Sequence, residues 1–276
     1  MSSQEKLFVV VDPTDDQHIA LERAILTAGI REPRPQVHVF VAVDPEAIDT
    51  RAVNAAVFRD ESWFKEQIRT PLINAGLDYK LEVSWSSEWQ KSIMQSAKRW
   101  GADAIYLSAN DDNKTDFRRF FFTDSKWELL KSADCPVVLI RPGAKKQRKV
   151  ILAAVNFQAQ RDEQQALNQK ILTAAKGFSE GYGAELHIAN GYMNSLHYPD
   201  RGKLMNETGV AQENIHVEPG YTDEVVAATA KKIDADLVVM GTLGQNGMLG
   251  ISTRRGNTAE RLIDALDDDV MVINYE

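Results

Sequence analysis

The sequence repeats itself, and this repeat constrains the fold more than any other feature. Adding 133 to each residue number places residues 98–142 on residues 231–275 without a gap. Ala102-Asp103 then falls on Ala235-Asp236, and the apolar run 137–140 falls on 270–273. A duplication is the simplest explanation, and it predicts two domains of one fold within the 276 residues.

Each half alternates apolar runs with helical patterns such as those at 19–29 and 58–76. This alternation predicts an α/β fold, in which a parallel sheet is covered by helices on both faces. Strands buried on both sides are rich in Val, Ile and Leu, as most of these runs are. The predicted strands lie at 7–11, 37–43, 81–85, 104–108 and 137–140, and then at 150–155, 185–189, 215–219, 237–241 and 270–273.

A short basic segment separates the halves. Four cationic residues within 145–149 follow Arg141-Pro142-Gly143, a composition typical of a solvated linker. The predicted organisation is therefore a first domain at 1–142, a linker at 143–149 and a second domain at 150–276.

Composition excludes several classes of protein. A net charge of −8 and a pI near 5.3 argue against general nucleic-acid binding, which requires a basic surface. No apolar stretch reaches membrane-spanning length, so we expect no membrane association and a cytoplasmic protein. The single cysteine, Cys135, excludes an intramolecular disulfide and precedes a predicted strand, so we expect a buried, inert thiol.

The fourth strand of the second half ends in a glycine-rich loop, GTLGQNGMLGISTRRGNT at 241–258. With the short Asp or Asn turn after strand one, it resembles the universal stress protein family, and two copies resemble the family's tandem E-type members in gamma-proteobacteria. The resemblance covers nearly the whole chain. It implies two tandem Rossmann-like (HUP-type) domains, each an open parallel five-stranded sheet of order 3-2-1-4-5. It also implies a role in stress endurance.

Ligands of open parallel sheets bind outside the carboxyl ends of the strands, where the strand order reverses. The glycine loop leaves strand four at that point and enters the last helix, whose first N–H groups and partial positive charge favour an anion. The family resemblance implies that this anion is an adenine nucleotide (ATP, ADP or AMP), and we predict it in the second half only. Its predicted contacts are Asn156 and Ala189 for the nucleoside, and Gly241, Gly244, Arg254, Arg255, Gly256, Asn257 and Thr258 for the phosphates.

The loop departs from the pattern G-x2-G-x9-G-[ST] of the family's ATP-binding members. Eleven residues separate Gly244 from Gly256, Asn257 follows where Ser or Thr is usual, and Asn156 replaces the strand-one Asp. The sequence at the start of the last helix can also be explained without a ligand, because Asn257-x-x-Glu260 resembles a capping box.

The first half loses these features. The same shift of 133 turns Gly241, Gly244 and Gly256 into Ser108, Asp111 and Thr123. Carboxylates in that loop would repel a phosphate, so we expect no nucleotide site there although Asp12 keeps the strand-one carboxylate.

No catalytic or metal-binding pattern occurs. The five histidines have no metal-ligand spacing, and no nucleophile–base pair is evident, so a weak ATPase is the most that the sequence supports. The predicted function is a stress-response regulator that binds an adenine nucleotide and unknown regulatory proteins. The alternative is a non-nucleotide-binding scaffold of the same fold that acts through partners or an apolar ligand. We also expect the halves to pair as a pseudo-dimer within the chain, and the chain to be a monomer or a homodimer.

Overall fold

A computed structural model describes residues 4–43, 59–109, 129–243 and 258–275. It divides the chain into two units. The first comprises residues 1–129 and 133–142, and the second comprises residues 130–132 and 143–276. Each unit is an open, parallel, five-stranded sheet with helices between the strands, as the alternating pattern predicts.

The first unit has the predicted strand order. Strand β1 pairs with β2 on one side and β4 on the other, β2 also pairs with β3, and β4 with β5, giving the order 3-2-1-4-5. A π-helical segment, Phe64–Arg69, joins α2 to α3. The elements are β1 (Lys6–Val11), α1 (Ile19–Gly29), β2 (Gln36–Val43), α2 (Glu61–Trp63), α3 (Thr70–Asn74), β3 (Tyr79–Trp85), α4 (Trp89–Trp100), β4 (Ala104–Ser108) and β5 (Val137–Ile140).

The second unit repeats this order. Strand β6 lies between β7 and β9, while β8 and β10 pair with β7 and β9 respectively. Short 3-10 turns at Ser195–His197 and Gln212–Asn214 flank α6. The elements are β6 (Val150–Ala154), α5 (Asp162–Tyr182), β7 (Glu185–Tyr192), α6 (Arg201–Thr208), β8 (Ile215–Pro219), α7 (Thr222–Ile233), β9 (Leu237–Thr242), α8 (Thr258–Ala265) and β10 (Asp269–Asn274).

The offset of 133 holds in three dimensions. Helix α4 (Trp89–Trp100) and helix α7 (Thr222–Ile233) have bounds that differ by 133 at both ends. Both helices end on a residue in the left-handed region, Gly101 (φ 73°) in the first unit and Asp234 (φ 53°) in the second. Glycine adopts this conformation without the steric cost that a side chain incurs. The repeat thus preserves the cap geometry although the second copy has an aspartate there.

The crossover directions explain where a cleft forms in the second unit. From β6, the connection through α5 leads to β7, which lies on the side of β6 away from β9. From β8, the connection through α7 leads back past β7 and β6 to β9. Right-handed crossovers that run in opposite directions place their helices on opposite faces of the sheet. In agreement, α5 packs on β6 and β9, whereas α7 packs on β7 and on α8. The two helical layers diverge at the carboxyl edge between β6 and β9, which is the switch point of the sheet.

The basic segment between the halves is packed on the second unit. Arg148 is 1% exposed, and its Nη2 donates to Asp269 Oδ2 at 2.6 Å. Its guanidinium also lies over the rings of Phe178 and Tyr182, at 5.6 and 5.5 Å. The expected solvated segment is therefore wrong for Arg148, because an apolar and aromatic environment surrounds this charge and a buried carboxylate neutralises it.

Candidate functional site

A cavity of about 510 Å³ opens at the carboxyl edge of the second sheet. It lies at the switch point that the strand order predicts. Residues that follow β6, β7 and β8 form its walls, together with the first residue of α8. The lining residues are Asn156, Gln158, Ala159, Gln160, Arg161, Gln164, Gly191, Met193, Asn194, Gly220, Tyr221, Thr222, Asp223 and Thr258.

Three helices begin at this cavity. Arg161 is the N-cap of α5, Tyr221 is the N-cap of α7, and Thr258 begins α8. Neither Arg161 nor Tyr221 forms a side-chain capping hydrogen bond. The first N–H groups of a helix have no partner within the helix, and they carry part of the positive end of the helix dipole. These helix starts favour an anion, whereas Asp223, which also lines the cavity, is an anion itself and pairs with Arg261.

Asn156 is held in place through its backbone, while its side-chain oxygen is left for other contacts. Its N–H donates to Asn168 Oδ1 at 3.1 Å, and its carbonyl accepts from Asn168 Nδ2 at 2.8 Å. The Asn156 Oδ1 atom is buried and has no hydrogen-bond partner among the residues that the structure describes. A buried acceptor without a partner is costly, so this atom is suited to a ligand's N–H or O–H group.

A fully buried asparagine shapes the loop after β6. The Phe157 N–H donates to Asn190 Oδ1 at 2.6 Å, and Asn190 Nδ2 donates to Gln158 Oε1 at 2.8 Å. Gln158 Nε2 in turn donates to the Gly191 carbonyl at 2.8 Å. These bonds tie the loop to the end of β7, so the cavity wall is pre-formed.

A charged pair links the two helices of the opposite layer. Arg261 Nε donates to Asp223 Oδ2 at 2.6 Å, and the Asp223 side chain is only 8% exposed. Arg261 lies in the first turn of α8 and Asp223 in the first turn of α7. The pair therefore fixes these two helix starts relative to one another.

Comparison with known proteins agrees with this architecture. The family model described as Universal stress protein family matches residues 4–141 and, separately, residues 148–274. The chain belongs to the universal stress protein family. Because the match occurs twice, it is a tandem universal stress protein.

Relatives of full length are found in gamma-proteobacteria. The chain is 26% identical to Universal stress protein E of Escherichia coli (strain K12) over 305 residues, covering 99% of this chain and 95% of the relative. It is 23% identical to the Universal stress protein E homolog of Haemophilus influenzae over 307 residues, covering 98% and 97%. A solved structure of a functionally unknown protein from Pseudomonas aeruginosa PAO1 superposes with a TM-score of 0.79 at 25% identity, covering 99% and 93%. The resemblance to tandem E-type members is therefore confirmed.

Two of the predicted site residues of this universal stress protein, Asn156 and Thr258, line the cavity. Ala189 does not line it: this residue is fully buried in β7, opposite Ala154. The predicted phosphate contacts Gly244, Arg254, Arg255, Gly256 and Asn257 lie outside the described residues.

Gly241 has a packing role that the motif does not show. It lies within β9, opposite Ile273, and a Cβ there would come within 2.7 Å of the Leu167 side chain. Glycine therefore lets Leu167 of α5 pack directly on the strand. This close approach accounts for the residue without a ligand.

The corresponding position of the first unit is occupied by its own side chains. Asp12 Oδ1 accepts from the Thr14 N–H and hydroxyl at 2.7 and 2.6 Å. Arg59 donates twice to the Pro13 carbonyl, at 2.8 and 2.6 Å, and its guanidinium lies over Trp63. These contacts hold the turn after β1 in place. The loop at 110–128 lies outside the described residues.

The histidines and the cysteine show no metal or nucleophile site in the described ranges. No group of three or more potential metal ligands occurs there. His187 Nδ1 lies 3.1 Å from His216 Nε2, a pair that shares one hydrogen bond across β7 and β8. Burial, followed by the His187 charge, lowers the pKa of His216. Burial raises the pKa of Cys135 to about 12, so the thiol is neutral at physiological pH.

Sequence reasoning missed several residues of the site. No sequence pattern singled out Asn168 or Asn190, and only the folded chain brings them to the loop after β6. Met193, Arg161 and Tyr221 follow or precede elements that were predicted correctly, but no local pattern directs their side chains to one cavity. No helix in the described part of the chain is long and apolar enough to span a membrane.

Proposed function

We propose that this tandem universal stress protein binds an adenine nucleotide in the cavity of its second unit, and regulates a stress response through that ligand. The supporting observation is the cavity at the switch point, lined by the starts of three helices and by Asn156. Its volume of about 510 Å³ lies within the range of roughly 300–1,000 Å³ typical of small-molecule sites.

The nucleotide would place its sugar at Asn156 and its phosphates at the helix starts that line the cavity. Asn156 Oδ1 would accept from a ribose hydroxyl, which supplies the partner that this buried oxygen lacks among the described residues. Helix starts favour phosphate oxygens because their N–H groups and dipole act together. Affinity would be modest, since an amide cannot offer the charge-assisted hydrogen bond of a carboxylate.

Calorimetric titration with ATP, ADP and AMP tests this proposal on the full chain. We expect one site per chain. The Asn156→Leu variant should bind each nucleotide at least about tenfold more weakly, because a buried hydrogen bond to the ligand is lost. Asp12→Leu is the matched control, since it changes the equivalent strand-one residue of the first unit and should leave binding unchanged. Circular dichroism would verify that both variants are folded.

Two outcomes would contradict the proposal. If no heat is released at millimolar nucleotide, the hypothesis of nucleotide binding is wrong. The alternative of a ligand-free scaffold that acts through partners is then favoured. Binding that is lost in Asp12→Leu but kept in Asn156→Leu would place the site in the other unit.

A further inference from the structure

The cavity of the second unit has two chemically different walls. The wall contributed by the loop after β6 and the first turn of α5 is polar, with Asn156, Gln160, Arg161 and Gln164. The side chains of Gln160, Arg161 and Gln164 form no hydrogen bond or ion pair with other residues in the described part of the chain. These groups are therefore available to a ligand, and Arg161 is the cation among them.

The other wall carries exposed apolar side chains beside the polar Asn194, Thr222 and Asp223. Met193, which follows β7, is 65% exposed, and Tyr221, which precedes α7, is 42% exposed. Within the described residues of the second unit, the exposed large apolar side chains are all found between 193 and 221. Exposed apolar area gathered beside a cavity is typical of a binding surface.

The backbone beneath Tyr221 is held firmly. The Gly220 N–H donates to the Tyr192 carbonyl at 2.9 Å, and the Val225 N–H donates to the Tyr221 carbonyl at 2.9 Å. Gly220 has φ 141°, which favours glycine, and a Cβ at Gly191 would lie 3.1 Å from Thr222 Cα. The end of β7 and the start of α7 are thus packed backbone to backbone. Tyr221 is the N-cap of α7 on this base and lines the cavity.

We propose that the ligand's heteroaromatic base stacks on Tyr221 with Met193 beside it, and that its phosphate lies near Arg161. This inference rests on the proposed function and assigns the residues that determine specificity. Aromatic rings stack on any planar base, and methionine adapts to aromatic surfaces. An arginine fork matches phosphate oxygens in charge and geometry. Because the two walls come from opposite helical layers, one ligand can contact both.

The assignment replaces the contact predicted for Ala189. That residue is buried in β7 and does not line the cavity. Met193, four residues further along the chain, lies where β7 has ended and lines the cavity. The base thus lies beyond the end of the strand.

Three probes separate the two walls: adenosine has the base and sugar without the phosphate, ribose 5-phosphate has the sugar and phosphate without the base, and AMP has all three groups. Tyr221→Ser should weaken adenosine and AMP about tenfold, and leave ribose 5-phosphate within about twofold. Tyr221→Phe should keep the affinity of all three. Arg161→Gln should weaken AMP and ribose 5-phosphate about tenfold and spare adenosine.

Tyr198→Ser provides the matched control, because Tyr198 is 46% exposed in the same region but does not line the cavity. It should change no affinity. If the wild-type chain binds neither AMP nor adenosine, the proposed function is wrong and this inference is wrong with it. If the wild-type chain binds AMP and Tyr221→Ser binds it equally well, only the stacking assignment is wrong. A loss in Tyr198→Ser as large as that in Tyr221→Ser would also overturn the assignment.

Discussion

The buried pair of Arg148 and Asp269 allows a quantitative prediction about the stability of the second unit. Both side chains are 0% exposed, and the ion pair is 2.6 Å long. Among the described residues, Arg148 Nε and Nη1 have no hydrogen-bond partner. Asp269 therefore provides the hydrogen bond that neutralises a guanidinium otherwise surrounded by Phe178 and Tyr182.

Replacing Asp269 with Ala should lower the free energy of unfolding by about 3–5 kcal/mol, because a buried charge is left without its counter-ion. The two aromatic contacts are present in both proteins, so they do not offset the loss. The free energy of unfolding of a typical domain is about 5–15 kcal/mol, so this change is a large fraction of the stability. The free energy of unfolding falls by about 1–3 kcal/mol for each molar of urea, so the urea concentration at the unfolding midpoint should fall by about 1 M or more.

Urea unfolding followed by circular dichroism measures this change. Tryptophan fluorescence run in parallel reports on the first unit, since all five tryptophans precede residue 128. Lys176→Met is the matched control: Lys176 lies on the helix that also carries Phe178, and its pair with Glu180 is exposed. An exposed pair contributes at most about 1 kcal/mol.

The double variant Arg148→Met/Asp269→Leu tests whether the loss arises from an unpaired charge. It removes both ions at once, so it should recover most of the lost stability or exceed the wild type. The reasoning is refuted if Asp269→Ala costs no more than Lys176→Met, or if the double variant is as unstable as the single one.

Two further predictions concern the same unit. Gly241→Ala should destabilise it by about 1–3 kcal/mol, because the new methyl overlaps Leu167. Thermal unfolding would show this, and the double variant with Leu167→Ala should be less destabilised than the sum of the two single variants if the overlap is the cause. Burial is the main cause that raises the pKa of Asp268 to about 6; Lys145 opposes this shift, and the charge of Asp234 adds to it. A raised carboxyl pKa favours the folded state while the group is protonated, so this contribution is lost as pH rises through about 6. Asp268→Asn should therefore have a higher melting temperature than the wild type at pH 7.5, and this difference between the two proteins should be smaller near pH 5. An equal difference at both pH values would contradict the assignment.

The repeated pattern determined the fold class, whereas the strand order was implied by the family resemblance. Alternating apolar runs and helical segments predicted all ten strands, and the offset of 133 predicted that β4 and β5 would correspond to β9 and β10. It also directed attention to the carboxyl edge, because residues that follow parallel strands meet there whatever their side chains are. Asn156 and Thr258 were found in this way. These are local signals, since strand and helix periods are set within a few residues of the chain.

Tertiary structure decided which side chains meet at that edge. Ala189 was predicted at the site and is buried, whereas Tyr221 was not predicted and lines the cavity. Arg148 belongs to a segment that reads as a solvated linker, yet it is enclosed by residues that lie 30 to 121 positions further along the chain. Gly241 matches a phosphate-loop motif and also accommodates Leu167. Such contacts depend on how helices pack on a sheet, and packing joins residues that are distant in sequence and carry no shared local pattern.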